Sequence, residues 1–272
     1  MTKWISSLRE VLSQIPPQEK ASPLINLNFD ELPIERTLGL KWTAETDCFR
    51  FSVYLHQNPE STKRGILSRL SPVFYPLGVL APYMLPVKCL IQSLWRKTKG
   101  WDEPLDEADQ SIWKDWLEDL MRLSELVLPR CFCVNACSEG LIELHVFAHA
   151  SEIGFGAVCY VRYSLPDGTI KVLFVTARNR VVPLKQLSIP RLEFQAAVLA
   201  IRLYCVVEQE LTVNIKDAIF WSDSKTLLQY IANESQRFHT SWPNGSLRFP
   251  TKPTRHSGGT FPVTVILPTI AP

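Results

Sequence analysis

The sequence predicts a mixed α/β (α+β) chain, with an N-terminal α-rich region followed by a mixed sheet and its helices. Three observations carry this. Residues 61–130 place apolar side chains at helical spacing, interrupted by prolines. From Leu141 the pattern changes: 141–150 alternates, and two further strand segments follow, the last after a strong turn signal. A long helix with one apolar stripe, an apolar strand and another helix come next, giving the order β-β-β-α-β-α of one sheet-and-helix module.

The elements follow in order. Trp4, Leu8, Val11, Leu12 and Ile15 recur at helical spacing, and Pro16-Pro17 stops that helix. Two short strands follow, over 38–42 and 49–54, with a turn between them. Ser61-Thr62 caps a helix that Ser71-Pro72 and Tyr75-Pro76-Leu77-Gly78 break. A second helix spans about 81–99. Pro104 and Asp106 open a third, with Trp113, Leu117, Leu120 and Ser124 along one face. In the second half, 141–150 and 154–163 form strands, and Leu165-Pro166-Asp167-Gly168 turns the chain into a third, over 170–177. Pro190 opens a helix to about Glu210 with the stripe Leu192, Ala196, Leu199 and Leu203. A strand over 218–222 is followed by a helix capped by Asp223 or Ser224. Residues 240–272 contain no Asp or Glu and are rich in Pro, Ser, Thr and Gly. Apart from 263–267 they show no period, and they read as an unstructured tail.

Composition bounds the function classes. The 272 residues are 46% hydrophobic and 21% charged, enough for one large or two modest cores. A net charge of +2 permits nucleic-acid binding without arguing for it. Seven scattered cysteines, an odd number, point to reduced thiols in the cytosol or nucleus. The first residues lack the apolar core of a signal peptide, and no run approaches the roughly 20 apolar residues a membrane span needs. The expectation is an intracellular chain, cytoplasmic or nuclear, with no membrane partner.

Three polar sites converge in such a sheet. They are Phe147-Ala148-His149-Ala150-Ser151 at the end of the first strand, Arg191-Leu192-Glu193 at the start of the long helix, and Trp221-Ser222-Asp223-Ser224 at the end of the fourth strand. Strand ends beside a central helix are common places for a site.

Ordered short motifs then point to a family. They include Leu38-Gly39-Leu40-Lys41-Trp42, Thr62-Lys63-Arg64, Pro76-Leu77-Gly78, Leu94-Trp95 and Trp101-Asp102-Glu103. Further along stand Val146-Phe147-Ala148, Arg180-Val181-Val182-Pro183-Leu184-Lys185, Ile189-Pro190-Arg191-Leu192-Glu193 and Trp221-Ser222-Asp223-Ser224. Over about residues 1–239 the chain resembles the BEL/Pao class of long-terminal-repeat retrotransposon Pol polyproteins, in the region after the reverse transcriptase palm. The resemblance implies four segments. Residues 1–60 would end a palm-like region, 61–135 form an α-rich thumb- or connection-like domain, 136–239 a C-terminally truncated ribonuclease H-like domain, and 240–272 a disordered tail.

The resemblance also implies an activity: cleavage of RNA in RNA–DNA hybrids by two divalent metals, Mg²⁺ or Mn²⁺, held by several carboxylates. Glu193 matches the family's helix glutamate and Asp223 its strand-end aspartate. The first aspartate position holds His149, and the later aspartate has no match. Imidazole brings no charge and cannot bridge two cations. The expectation is therefore a degenerate site with Glu193 and Asp223 as remnant ligands. Efficient cleavage is not expected, and a non-enzymatic nucleic-acid-binding or interaction scaffold is the alternative. Plainer readings stand beside these: His149 as an altered ligand, a general base or an inactivating substitution, Glu193 as a charge at the helix dipole, and Asp223 as a helix cap. Arg178, Arg180, Lys185 and Arg191 surround the loop before the long helix and are expected to touch a nucleic-acid backbone. Lys88, Arg96, Lys97 and Lys99 are either a second such face or a solvated one. Cys131, Cys133 and Cys137 read as free thiols rather than a zinc knuckle, Ser151 is not expected to be a nucleophile, and Trp95, Trp101, Trp113 and Trp116 read as core.

Overall fold

The computed structural model describes residues 4–20, 34–37, 40–51, 60–73, 75–130, 141–185, 187–232 and 263–266. These residues contain six α-helices and two sheets, the mixed α/β class expected. The chain divides into two compact units, residues 1–76 with 93–132, and residues 77–92 with 133–272.

The first unit opens with α1 (Arg9–Gln14). An antiparallel sheet follows, built from β1 (Ile34–Thr37), β2 (Leu40–Thr43) and β3 (Cys48–Arg50). Leu12, Trp42 and Ala44 form its small core. Helix α2 (Lys63–Leu70) is capped by Thr62, whose hydroxyl accepts the Gly65 N–H at 3.1 Å. The unit also takes residues 93–96 of α3 (Ala81–Arg96), all of α4 (Glu107–Arg122), and β4 (Val127–Pro129), which closes the sheet in the order β1-β2-β3-β4. In α4 the buried stripe is Asp109, Trp113, Trp116 and Leu120. Trp116 therefore takes the place expected for Leu117, and Ser124 is exposed. Trp113 and Trp116 are core as expected, stacked with centroids 5.3 Å apart. Trp95 and Trp101 are not: both are half-exposed and hold Lys63, whose ammonium lies 4.1 Å from the Trp95 ring centre.

Lys63 is itself buried, and its ammonium donates to the Lys99 carbonyl. Lys63→Met keeps the aliphatic volume but removes both interactions. It is expected to cost about 2 kcal/mol of unfolding free energy in a urea titration, the sum of a cation–π contact and one hydrogen bond.

The second unit is built on β5 (Leu141–Ala150), β6 (Gly154–Ser164) and β7 (Ile170–Val181), joined by tight turns. Helix α5 (Ile189–Glu210) crosses back and delivers the chain to β8 (Asp217–Trp221), parallel to β5. Helix α6 (Lys225–Ala232) follows. Strand β9 (Val263–Ile266) pairs parallel with β8, so the segment read as a tail contributes a strand where its one alternating run lies. The rest of that tail lies outside the described residues. The sheet order is β7-β6-β5-β8-β9. Ile142, Leu144, Val146, Ala148 and Ala150 of β5 are buried, as are Leu192, Ala196, Leu199 and Leu203 of α5, the two stripes that alternation and helical period identify.

Residues 77–92, within the segment 61–135, group with the second unit. They belong to the sheet unit because β7 is an edge strand with backbone groups to satisfy. The Ala177 N–H donates to the Leu77 carbonyl at 2.8 Å. The Asn179 side-chain amide donates to the Ala81 carbonyl, and the Gln92 amide to the Val182 carbonyl at 2.6 Å. Gly78 turns the chain at φ +75°, and a Cβ there would lie 1.7 Å from the Ala177 carbonyl oxygen. Among the described residues no helix is long and apolar enough to cross a membrane.

Candidate metal centre

Strand register assembles the site. β5 and β8 run parallel with Phe147 opposite Trp221. Two residues on, His149 and Asp223 leave the same edge of the sheet side by side. His149 Nδ1 lies 3.2 Å from one Asp223 oxygen and 3.3 Å from the other. The third member comes from α5. Glu193 is the fifth residue of that helix, and one of its carboxylate oxygens accepts the Ala150 N–H at 3.2 Å while lying 3.7 Å from His149 Nδ1. One donor atom from each residue falls within 4.8 Å of the others. The structure thus brings together the three residues that the sequence singles out.

Two of the plainer readings lose their support. Ser224, not Asp223, caps α6: its hydroxyl accepts the Leu227 N–H at 3.2 Å, leaving the Asp223 carboxylate to face His149. Glu193 sits past the first turn of α5, where the helix dipole has faded, so dipole stabilisation does not explain it.

The electrostatics of Glu193 are unfavourable to its charge. The side chain is 7% exposed, and its second carboxylate oxygen is buried with no hydrogen-bond partner. Burial pushes its pKa above the ordinary glutamate value, and the Asp223 charge pushes the same way. The Ala150 N–H and His149 act against the rise. A buried, unpartnered carboxylate oxygen beside a second carboxylate is the environment that a cation relieves. The donor set decides which cation. A pair of Mg²⁺ ions needs an all-oxygen cage with a bridging carboxylate. Two carboxylates and one imidazole do not supply that, so these three residues, the one such cluster among the described residues, do not by themselves fit a two-Mg²⁺ centre.

The four basic residues singled out in the sequence all lie on the second unit. Arg178 and Arg180 project from β7 on one face, opposite Ala157 and Phe155 of β6, and both are exposed. Lys185 is exposed in the following loop and Arg191 in the first turn of α5. None of the four makes an ion pair among the described residues. Lys97 and Lys99 differ. Lys97 binds Asp106 and Asp109 at 2.8 and 2.7 Å, and Lys99 binds Glu103 at 2.9 Å, so they belong to local ion pairs rather than to one continuous phosphate-tracking face. The Ser151 hydroxyl is spent on the Gly154 carbonyl, 3.1 Å away in the turn between β5 and β6. Cys131, Cys133 and Cys137 lie outside the described residues.

The sheet also carries an aromatic row that no spacing in the sequence marks. On the sheet face opposite α5, Trp221 stacks on Phe147 at 5.6 Å, Phe147 meets Tyr160 edge-on at 5.9 Å, and Tyr160 meets Phe174 at 6.0 Å. His145 accepts the Trp221 indole N–H at 3.0 Å. This row crosses four strands, and Phe147 stands two residues before His149 on β5. Alternation marks two faces of a strand but not which aromatic residues become neighbours, so only the register reveals it.

Comparison with known proteins places the chain. Residues 62–224 match the family model described as Pao retrotransposon-like RNaseH-like domain. No curated protein matches. Two solved structures share 12% identity with the chain: a foamy viral protease-reverse transcriptase dRH in complex with double-stranded DNA, at TM-score 0.42, and a foamy viral protease-reverse transcriptase in complex with double-stranded DNA, at TM-score 0.24. They cover 87% and 91% of this chain, which spans 38% and 48% of theirs.

Proposed function

Since the chain belongs to the Pao retrotransposon-like family, as an RNase H-like domain of a retroelement Pol-like protein, we propose that its ribonuclease H site is degenerate. In this reading the domain does not cleave the RNA of RNA–DNA hybrids efficiently and acts as a nucleic-acid-binding module. The observation that carries it is His149. An imidazole stands against both Asp223 and Glu193, where two-metal hydrolysis calls for a carboxylate. Removing a negative oxygen ligand between two cations weakens the binding of both. Arg178, Arg180, Lys185 and Arg191 offer exposed charge for the phosphate backbone, a contribution that falls with salt.

The test is a hybrid-cleavage assay in Mg²⁺ and in Mn²⁺. The unaltered chain is expected to show background cleavage only, and His149→Asp to raise the rate by at least about tenfold, in the range that one well-placed group in a metal site contributes. Robust cleavage by the unaltered chain, abolished by Glu193→Ala, overturns the reading.

A further inference from the structure

We infer that His149, Glu193 and Asp223 form a mononuclear site for one first-row transition ion, Mn²⁺ through Zn²⁺, in preference to Mg²⁺. This deepens the reading of a degenerate centre and rests on it: the substitution at position 149 changes which cation the site takes, not only how many.

The geometry and the donor chemistry support this together. Three donor atoms lie within 4.8 Å of one another, one nitrogen and two carboxylate oxygens. Bonds of about 2.0–2.2 Å to a shared ion place donors at most about 4.4 Å apart, so a small inward movement completes the set. His149 can make it, because its side chain is 67% exposed and the Asp223 side chain 45% exposed. Glu193 is the fixed point. Its side chain is more than nine-tenths buried, the oxygen that faces His149 is held by the Ala150 N–H, and the other oxygen is buried with no hydrogen-bond partner. A buried carboxylate oxygen without a partner is costly unless something occupies it.

Selectivity follows from the donors. An imidazole nitrogen binds transition ions more firmly than Mg²⁺, whose preference is for oxygen in near-octahedral geometry with several retained waters. Two carboxylates neutralise one divalent cation and leave nothing for a second. The Ala150 N–H holds one oxygen of Glu193, and that orienting bond limits how far the carboxylate can swing to span two ions.

Mn²⁺ is the probe, because thiols hold it poorly and the chain carries seven cysteines. Titration of the full chain, followed by electron paramagnetic resonance, is expected to show one bound Mn²⁺. Pulsed measurements are expected to show a directly coordinated ¹⁴N. His149→Asp should abolish the nitrogen coupling while keeping a bound ion. It should also lower the Mg²⁺ excess needed to displace Mn²⁺ by at least about tenfold. Glu193→Gln, which keeps the shape of the side chain, should weaken Mn²⁺ binding by at least about tenfold. Circular dichroism of each variant confirms that it is folded.

Absence of Mn²⁺ binding by the folded chain overturns the inference. So does Mn²⁺ binding without nitrogen coupling, or Mg²⁺ competition equal in the unaltered chain and in His149→Asp. Failure here with no hybrid cleavage leaves the degenerate reading standing. Vigorous Mg²⁺-dependent cleavage removes that reading instead.

Discussion

Gly78→Ala is expected to cost about 4 kcal/mol of stability, the largest effect expected among the described glycines. Two penalties combine. The backbone at Gly78 holds φ +75°, which a residue with a Cβ adopts only at a cost, and the added carbon would lie 1.7 Å from the Ala177 carbonyl oxygen. That neighbour is backbone of an edge strand and cannot rotate away. Relief requires residues 77–78 to leave β7, which breaks the Ala177 N–H bond to Leu77. Gly168 provides the control. Its φ is +82°, yet nothing lies within 4 Å of a Cβ built there. Gly168→Ala should therefore cost only about 1 kcal/mol, the conformational part alone. Urea unfolding of the two variants measures the difference. Equal costs would show that the Leu77-Gly78 corner does not dock on β7.

Glu193→Gln is expected to raise the stability of the metal-free chain by about 2 kcal/mol near neutral pH, the opposite sign from most substitutions at buried positions. The amide keeps an oxygen for the Ala150 N–H while deleting a charge that burial and Asp223 both oppose. The pH dependence follows from the direction of the shift. With its pKa raised in the folded state, Glu193 holds a proton that the unfolded chain has already released. Stability is therefore favoured on the acid side and is lost as pH rises from the ordinary glutamate value through the raised one. The Glu193→Gln variant lacks this segment. Melting temperatures in chelator across that range should converge at the acid end and separate at the neutral end. A variant less stable than the parent throughout would show that the carboxylate is satisfied in the folded protein.

Much of the site was legible in the sequence. His149, Glu193 and Asp223 could be placed together because strand alternation and helical period fix where the ends of β5, α5 and β8 fall. Parallel register then does the rest. What could not be read is the division of labour at β8's end. Asp223 and Ser224 are adjacent and equally suited to cap a helix, and only the Leu227 N–H shows that Ser224 does so. The placement of 77–92 was also hidden. Helical period identifies an apolar face in α3 but not what covers it, and its partners on β7 and in the segment after it lie about ninety or more residues away in sequence. The split among the tryptophans has a similar cause. Trp95 and Trp101 have the same composition signal as Trp113 and Trp116, but Lys63 makes an exposed pair worthwhile.

That long-range docking of residues 77–92 also sets a timetable. Asn179 is 98 residues from the Ala81 carbonyl it binds. At roughly 5–20 residues per second, a ribosome takes about 5–20 s to make the interval. Throughout it, the Leu77 and Ala81 carbonyls wait for their partners on β7, while Met84, Val87 and Leu90 are apolar residues buried only in the finished protein. A chain interrupted before β7 is released without those bonds, which makes truncated products more prone to be captured by chaperones or to aggregate.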